Sequence, residues 1–157
     1  MTPPQPVKVS IDVPQPRADV YDYLDVMANH EAFTDHMLTN WRVSGPATGI
    51  GSKANVTTKA GGLTDEAEIE VFEVEPGRMI RERSIGAKGK RVAHGTYTLS
   101  DRPDGGTHIE FEFALQKVPA IERPLLPLMR KMVRKGNEKA MERLAALLAD
   151  GQAAKAA

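Results

Sequence analysis

The chain has 157 residues and no net charge, with 21 Lys plus Arg against 21 Asp plus Glu. This length suits one domain with a hydrophobic core, and the balanced charge gives no global field to hold a nucleic-acid backbone. The sequence has no Cys for a disulfide or thiolate, and its four His are not spaced as zinc ligands. Neither a signal-peptide pattern nor an 18-residue apolar run occurs, so we expect a soluble cytoplasmic protein without a metal.

The first elements are predicted from a change in hydrophobic period. Residues 7–13 alternate between apolar and polar, which predicts a strand with one buried face. Apolar residues from Arg17 to Leu24 then recur at helical spacing, and a second short helix is predicted over residues 29–36. Both helices are too short to cover a whole sheet.

Six further strands are predicted, because apolar and polar residues alternate in segments bounded by Gly and Pro turns. Gly61-Gly62 and residues 75–78 are two such turns. The predicted strands cover residues 39–44, 53–59, 66–71, 79–85, 92–100 and 107–115. Short connections between consecutive strands predict an antiparallel meander, to which the first strand adds a seventh member.

Residues 124–149 are predicted to form a long amphipathic helix with one apolar face. Pro124 suits its first turn, and Gly151 follows its predicted end. The residues in the middle of the apolar face, Gly136 and Ala140, are small. A mid-helix glycine costs about 1 kcal/mol relative to Ala. We therefore expect either a strand packed close to Gly136 or space left for a ligand.

The order of elements predicts an α+β fold in which a curved seven-stranded antiparallel sheet wraps around the long C-terminal helix. Only this helix is long enough to cover the apolar face of such a sheet, and the two short helices close one end. We predict a single domain over residues 7–149, with flexible tails at 1–6 and 150–157.

Four segments resemble the SRPBCC superfamily, which includes START domains, Bet v 1-like ligand binders and polyketide cyclase/dehydrase-like proteins. They are residues 13–24, Gly49-Ile50-Gly51, residues 73–78 and the terminal helix. Where many members carry Trp in the second short helix, this chain has Phe33. The resemblance implies the helix-grip fold and a hydrophobic ligand held between the sheet and the long helix. We expect no cofactor, and entry near the Gly49 loop and the short helices.

The candidate ligand-binding residues lie on the predicted inner face of the strands or on the apolar face of the long helix. Met side chains on this helix could line an adaptable pocket or simply fill the core. The candidates are Trp41, Val56, Ile69, Arg81, Arg83, Tyr97, Phe111, Phe113, Met129, Met132, Val133, Gly136 and Ala140.

The two arginines among these candidates can be placed in two ways. If Met79 and Ile85 mark the inner face of their strand, Arg81 and Arg83 share it, and an inward cation could hold a ligand carboxylate or phosphate. The alternative is an exposed strand of alternating charge.

Glu82, His94 and Tyr97 are the only plausible general acid/base set in the sequence. Strand alternation places His94 and Tyr97 on opposite faces, which argues against a joint catalytic role. His30 and His36 lack the spacing that would place them together on a helix, so we interpret both as surface residues.

The outer face of the long helix is basic and could contact anionic lipid headgroups transiently, or could simply be solvated. We favour binding, with transport as an extension, of a small hydrophobic or amphipathic molecule such as a lipid or polyketide. One alternative is a polyketide cyclase/dehydratase-type enzyme that uses the same cavity. Another is a chaperone-activator-like interaction module. A monomer or a homodimer fits each of these hypotheses.

Overall fold

The computed structural model describes residues 4–60 and 63–156, and side chains for residues 4–59 and 63–151. The predicted turn at Gly61-Gly62 therefore lies outside the described residues. The elements are β1 (Val7–Val13), α1 (Arg17–Asp25), α2 (His30–Thr34), β2 (Leu38–Ser44), β3 (Lys53–Ala60), β4 (Leu63–Glu75), β5 (Met79–Gly86), β6 (Arg91–Asp101), β7 (Thr107–Lys117) and α3 (Leu126–Ala156). A 3-10 segment, Ala120–Leu125, leads into α3.

The seven strands form one antiparallel sheet in the order β1-β7-β6-β5-β4-β3-β2. Each of β2 to β7 pairs with its neighbour in sequence, and β1 pairs with β7. This topology confirms the predicted meander and the α+β helix-grip fold. Consecutive strands need only short connections in such a sheet, which the turn residues provide.

One row of residues crosses the inner face of the sheet from β4 to β1. The strand register aligns Val71, Glu82, Gly95, Phe113 and Val7, one from each strand. We call this alignment the Glu82 row. Its two outer members are buried valines, which identifies this side of the strands as the side that faces the core.

The short helices cover part of the inner face, with α1 against β5 and β6 and α2 against β2. Leu24 of α1 and Phe33 of α2 are buried, together with Met27 between the two helices. Their side chains join those of Val56 and Ile69 in the hydrophobic core. This part of the interior is therefore filled by protein side chains.

Helix α3 differs from its prediction at both ends. It begins at Leu126 rather than at residue 124, and it continues through Gly151 to Ala156, past the predicted end at residue 149. Gly151 has no positive φ, and an ideal Cβ there would meet open space, so nothing in its surroundings ends the helix. Among the described residues, no helix is long and apolar enough to cross a membrane.

The buried face of α3 is complete only in its second half. Ala140, Leu144 and Leu148 lie in the core. Met132 was placed on the same apolar face from its spacing, but it is 37% exposed, and Leu128 on the preceding turn is 56% exposed. The prediction that Met132 faces the interior is therefore wrong, because the first half of α3 presents this side of the helix to solvent.

Gly136 marks the point where α3 passes the segment that follows α2. An ideal Cβ on Gly136 would overlap the side chain of Met37, which itself packs against the core. His36 donates a hydrogen bond from Nε2 to the Gly136 carbonyl at 2.9 Å and accepts one at Nδ1 from Arg143. Gly136 thus permits close packing, which was one of the two expectations for this position. The packing partner is the Met37 side chain rather than a strand. His36, interpreted as a surface residue, is thus partly buried and connects the segment after α2 to α3.

Candidate ligand-binding interior

A carboxyl group lies in the apolar inner face of the sheet. Glu82 is 8% exposed, and its row neighbours on β4 and β6 are Val71 and Gly95. Among the described residues, no donor lies within hydrogen-bond reach of its buried Oε2 atom. Burial disfavours a charged carboxylate and raises the pKa of Glu82 to about 8. At neutral pH the group is therefore mainly a neutral carboxylic acid, which can donate a hydrogen bond.

His30 faces this carboxyl from α2. Its residue is only 2% exposed, so the prediction that it lies on the surface is wrong. Nε2 lies 2.7 Å from the Leu24 carbonyl, and since a carbonyl only accepts, Nε2 carries the proton. Nδ1 is then an acceptor in the neutral ring, 3.9 Å from Glu82 Oε2. Burial lowers the pKa of His30, which favours this neutral form.

Two aromatic side chains lie near His30. The Tyr97 and Trp41 rings lie 5.6 Å and 6.4 Å from the His30 ring, measured between centroids. Burial and the nearby Glu82 raise the pKa of Tyr97 well above its usual value, so its phenol stays neutral. We call Glu82, His30, Tyr97 and Trp41 the Glu82 cluster. Mostly apolar walls with a few convergent polar groups are typical of small-molecule sites.

A small void lies at the other end of the Glu82 row, beneath the first half of α3. It measures about 30 Å³ and is bordered by Val7 and Phe113 of the sheet and by Met129 and Val133 of α3. A water molecule fits such a space, but a larger guest does not. Three of the candidate residues, Phe113, Met129 and Val133, therefore border this small space.

The void and Glu82 are two strands apart, which corresponds to roughly 10 Å. Gly95 lies between them and contributes no side chain. The Phe111 ring occupies the position above it, because an ideal Cβ on Gly95 would lie 3.0 Å from Phe111 Cζ and 3.4 Å from Glu82 Cγ. One aromatic ring thus separates the void from the carboxyl.

Arg81 and Arg83 do not face the interior, and the prediction that they do is wrong. Their β6 partners are Thr96 and His94, and Glu82 between them points inward. Arg81 forms an ion pair with Glu73 at 2.6 Å. The Arg83 guanidinium lies 4.4 Å from the centre of the Phe72 ring on the outer face. Met79 and Ile85 are on this outer face too, so the interpretation that they mark the inner face of the strand is wrong.

Three further candidates lie in the hydrophobic core rather than beside the void. Val56, Ile69 and Ala140 are buried in the core and do not border the void. His94 stacks near Phe72 on the outer face, whereas Tyr97 points inward, so the predicted separation of these two residues is confirmed.

An ion cluster fastens the entrance to α3 against the end of the sheet. Arg91 at the start of β6 contacts Asp65 of β4 at 3.1 Å and pairs with Glu122 of the 3-10 segment through two nitrogens. Asp65 also accepts a hydrogen bond from the Ala87 backbone at 2.7 Å. We call Arg91, Asp65 and Glu122 the Arg91 clasp. It holds the 3-10 segment that leads into α3 near β4 and β6.

The Gly49 loop is held by one contact with a side chain and by one backbone bridge. The Gly49 amide donates to Asp25 Oδ1 at 3.0 Å, and Val26 bridges to Thr48. These contacts tie the Gly49 loop to the end of α1, where entry was expected. Within residues 4–60 and 63–156, no three His, Asp or Glu side chains converge as a metal site requires.

Comparisons with known proteins agree with this architecture. A family model described as polyketide cyclase / dehydrase and lipid transport matches residues 4–149. No curated protein matches the chain. Among solved structures, TTHA0849 from Thermus thermophilus is 16% identical with a TM-score of 0.75, covering 94% of this chain and 99% of its own.

Two further solved structures share the fold at low identity. The Zhui aromatase/cyclase from Streptomyces sp. R1128 is 12% identical with a TM-score of 0.73, covering 92% of this chain and 93% of its own. Ara h 8.0201 is 11% identical with a TM-score of 0.64, covering 93% of this chain and 98% of its own. At these identities the likeness concerns the fold alone.

Proposed function

Because the chain belongs to the polyketide cyclase / dehydrase and lipid transport family, we propose that it binds a small hydrophobic or amphipathic molecule, of the lipid or polyketide class. The guest lies between the inner face of the sheet and the first half of α3. The observation that carries this proposal is the void under Met129 and Val133, where the apolar face of α3 covers the sheet without filling the space beneath it.

Uptake requires the first half of α3 to move away from the sheet, since the void of about 30 Å³ is smaller than a lipid or polyketide. The Arg91 clasp holds this half at its start, and the Met37 contact at Gly136 holds it at its end. Between these two points, the exposed Arg134 side chain donates to the backbone of β1, and water competes for such a contact. The proposed entrance is therefore the first half of α3 rather than the Gly49 loop.

A cyclase or dehydratase activity is a second candidate, and the Glu82 cluster is the observation that favours it. Glu82 presents a neutral acid and His30 a neutral ring nitrogen, 3.9 Å apart in an apolar interior. A bound substrate that reached both groups from one side could receive a proton from Glu82 and lose a proton to His30 Nδ1. Conversion of a poly-β-ketone substrate by the wild type but not by His30→Phe would support this candidate.

The binding proposal is tested by titration with N-phenyl-1-naphthylamine, a neutral fluorescent probe. We expect saturable binding with one probe per chain. Val133→Phe places a ring in the void and is expected to weaken binding by at least tenfold, which corresponds to about 1.4 kcal/mol. Lys131→Phe places the same ring on the exposed side of α3 and serves as the matched control. A wild type that does not saturate, or equal binding by both variants, would contradict the proposal.

A further inference from the structure

We propose that Glu82 is the polar anchor of the ligand-binding interior and selects a guest that carries an uncharged hydrogen-bond acceptor, a ketone or similar carbonyl oxygen. This inference rests on the proposed binding function and names the chemical class of its ligand. The recognised group is the oxygen of the guest, and the donor is the carboxyl O–H of Glu82. A plain hydrocarbon lacks the acceptor, and a carboxylate brings a charge.

The geometry supplies a donor that has no partner within the described protein. Glu82 Oε2 is buried and has no hydrogen-bond partner among the described residues, and His30 Nδ1, which faces it, is 3.9 Å away, beyond hydrogen-bond length. A buried polar atom without a partner is unfavourable, so a guest that supplies one gains affinity that an apolar guest cannot. The same logic gives sites built around a buried hydrogen bond their strong discrimination between ligands.

The charges around Glu82 favour its neutral form. His30 of α2 and Tyr97 of β6 are the titratable groups that face it, and both stay neutral as described above. Asp25 of α1 acts on His30 and is itself acidic. The cations on β5, Arg81 and Arg83, lie on the other face of the sheet. No described cation therefore compensates a carboxylate here, and a carboxylic acid kept neutral by an apolar site is a good donor to a carbonyl.

The path from the void to Glu82 follows the Glu82 row. Gly95 contributes no side chain to this path, and the Phe111 ring fills the position above it. A guest that enters beneath Val133 contacts Phe113 first, displaces the Phe111 ring, and brings its carbonyl oxygen to Glu82 Oε2. The guest is therefore an extended or flat apolar molecule whose carbonyl lies roughly 10 Å from the end that remains near α3.

Three naphthalenes of similar size test the selectivity: 2-acetylnaphthalene, 2-ethylnaphthalene and 2-naphthoate. Each displaces N-phenyl-1-naphthylamine in a competition titration of the wild type at pH 6.5 and pH 9.5. At pH 6.5 we expect the ketone to bind at least tenfold more tightly than the hydrocarbon, with the carboxylate weakest. At pH 9.5 Glu82 loses its proton, so the ketone loses at least fivefold in affinity while the hydrocarbon is unchanged.

Two substitutions at one position provide the matched controls. Glu82→Met removes the donor and is expected to abolish the preference for the ketone while the hydrocarbon still binds. Glu82→Gln keeps a donor and is expected to retain the preference but lose its dependence on pH. Thermal melts check that both variants fold, and if Glu82→Met does not, the Gln variant and the pH series decide.

The possible outcomes separate this inference from the function on which it rests. If the ketone and the hydrocarbon bind equally to the wild type, or if Glu82→Met keeps the ketone preference, the anchor role of Glu82 is refuted and the binding function stands. If none of the three compounds displaces the probe and the probe itself does not bind, both proposals are refuted.

Discussion

The two halves of α3 have similar apolar patterns in sequence but different surroundings in the structure. Residues 137–148 bury Leu144 and Leu148 against the sheet, whereas residues 126–136 leave Leu128 exposed and cover a void. The difference lies in what is beneath each half, since core side chains fill one end of the sheet and leave the other incompletely filled. Tight packing fixes the second half in place, and the looser first half becomes the movable wall of the proposed site.

The largest expected difference between the halves concerns a buried and an exposed apolar side chain. Leu144 is fully buried, so Leu144→Ala leaves a cavity and is expected to lower the free energy of unfolding by about 3–4 kcal/mol. Met132→Ala on the first half is expected to change it by about 0.5 kcal/mol or less. Urea unfolding of both variants measures this difference, and equal losses would show that the first half is packed as tightly as the second.

A second prediction concerns the junction of the two halves. Gly136→Leu forces a side chain against Met37 and is expected to lower the free energy of unfolding by about 1–3 kcal/mol. Gly151→Ala, in the same helix, meets open space and is expected to raise it by roughly 0.5–1 kcal/mol through helix propensity. Thermal melts show whether each variant is less or more stable than the wild type. A stable Gly136→Leu variant would indicate that the contact with Met37 does not fix α3 at this point.

The smallest expected effect on stability comes from the Arg91 clasp. Glu122→Gln weakens the pairing with Arg91 and is expected to cost about 1 kcal/mol or less, because the pair is partly exposed to solvent. The rate of probe association is expected to rise severalfold, since the first half of α3 opens more easily. Glu31→Gln, at an exposed position of α2, is the control. Stopped-flow fluorescence measures the rate, and an unchanged rate would remove the clasp from the uptake step.

The sheet was predictable because alternation in each strand is a local signal. Phe111 and Phe113 of β7 were placed on the inner face correctly, since nearly every second residue there is apolar. In β5 the pattern is ambiguous, because Met79 and Ile85 are apolar on one face and Ile80 on the other. Which face is buried depends on the partners from β4 and β6, and this register is not visible within one strand.

The Glu82 cluster was predictable only in part: Glu82, Tyr97 and Trp41 were candidates, but the place of His30 beside Glu82 was missed. Glu82 and His30 come from elements 52 residues apart in sequence, and they meet only because α2 folds onto the inner face of the sheet. A histidine in a short polar helix carries no local sign of burial. The one available signal was Ile80, which lies on the same strand face as Glu82. If Ile80, rather than Met79 and Ile85, had been taken to mark the inner face, the carboxyl would have been placed inside.

The most direct test of α3 as a movable wall is hydrogen–deuterium exchange along the helix, with and without N-phenyl-1-naphthylamine. In the free protein, we expect the amides of residues 126–136 to exchange at least tenfold faster than those of residues 137–148, because fewer buried contacts oppose their opening. Saturation with the probe should slow exchange in residues 126–136 and leave residues 137–148 unchanged. Uniform exchange along α3, or probe binding that protects no amide in its first half, would contradict the proposed site.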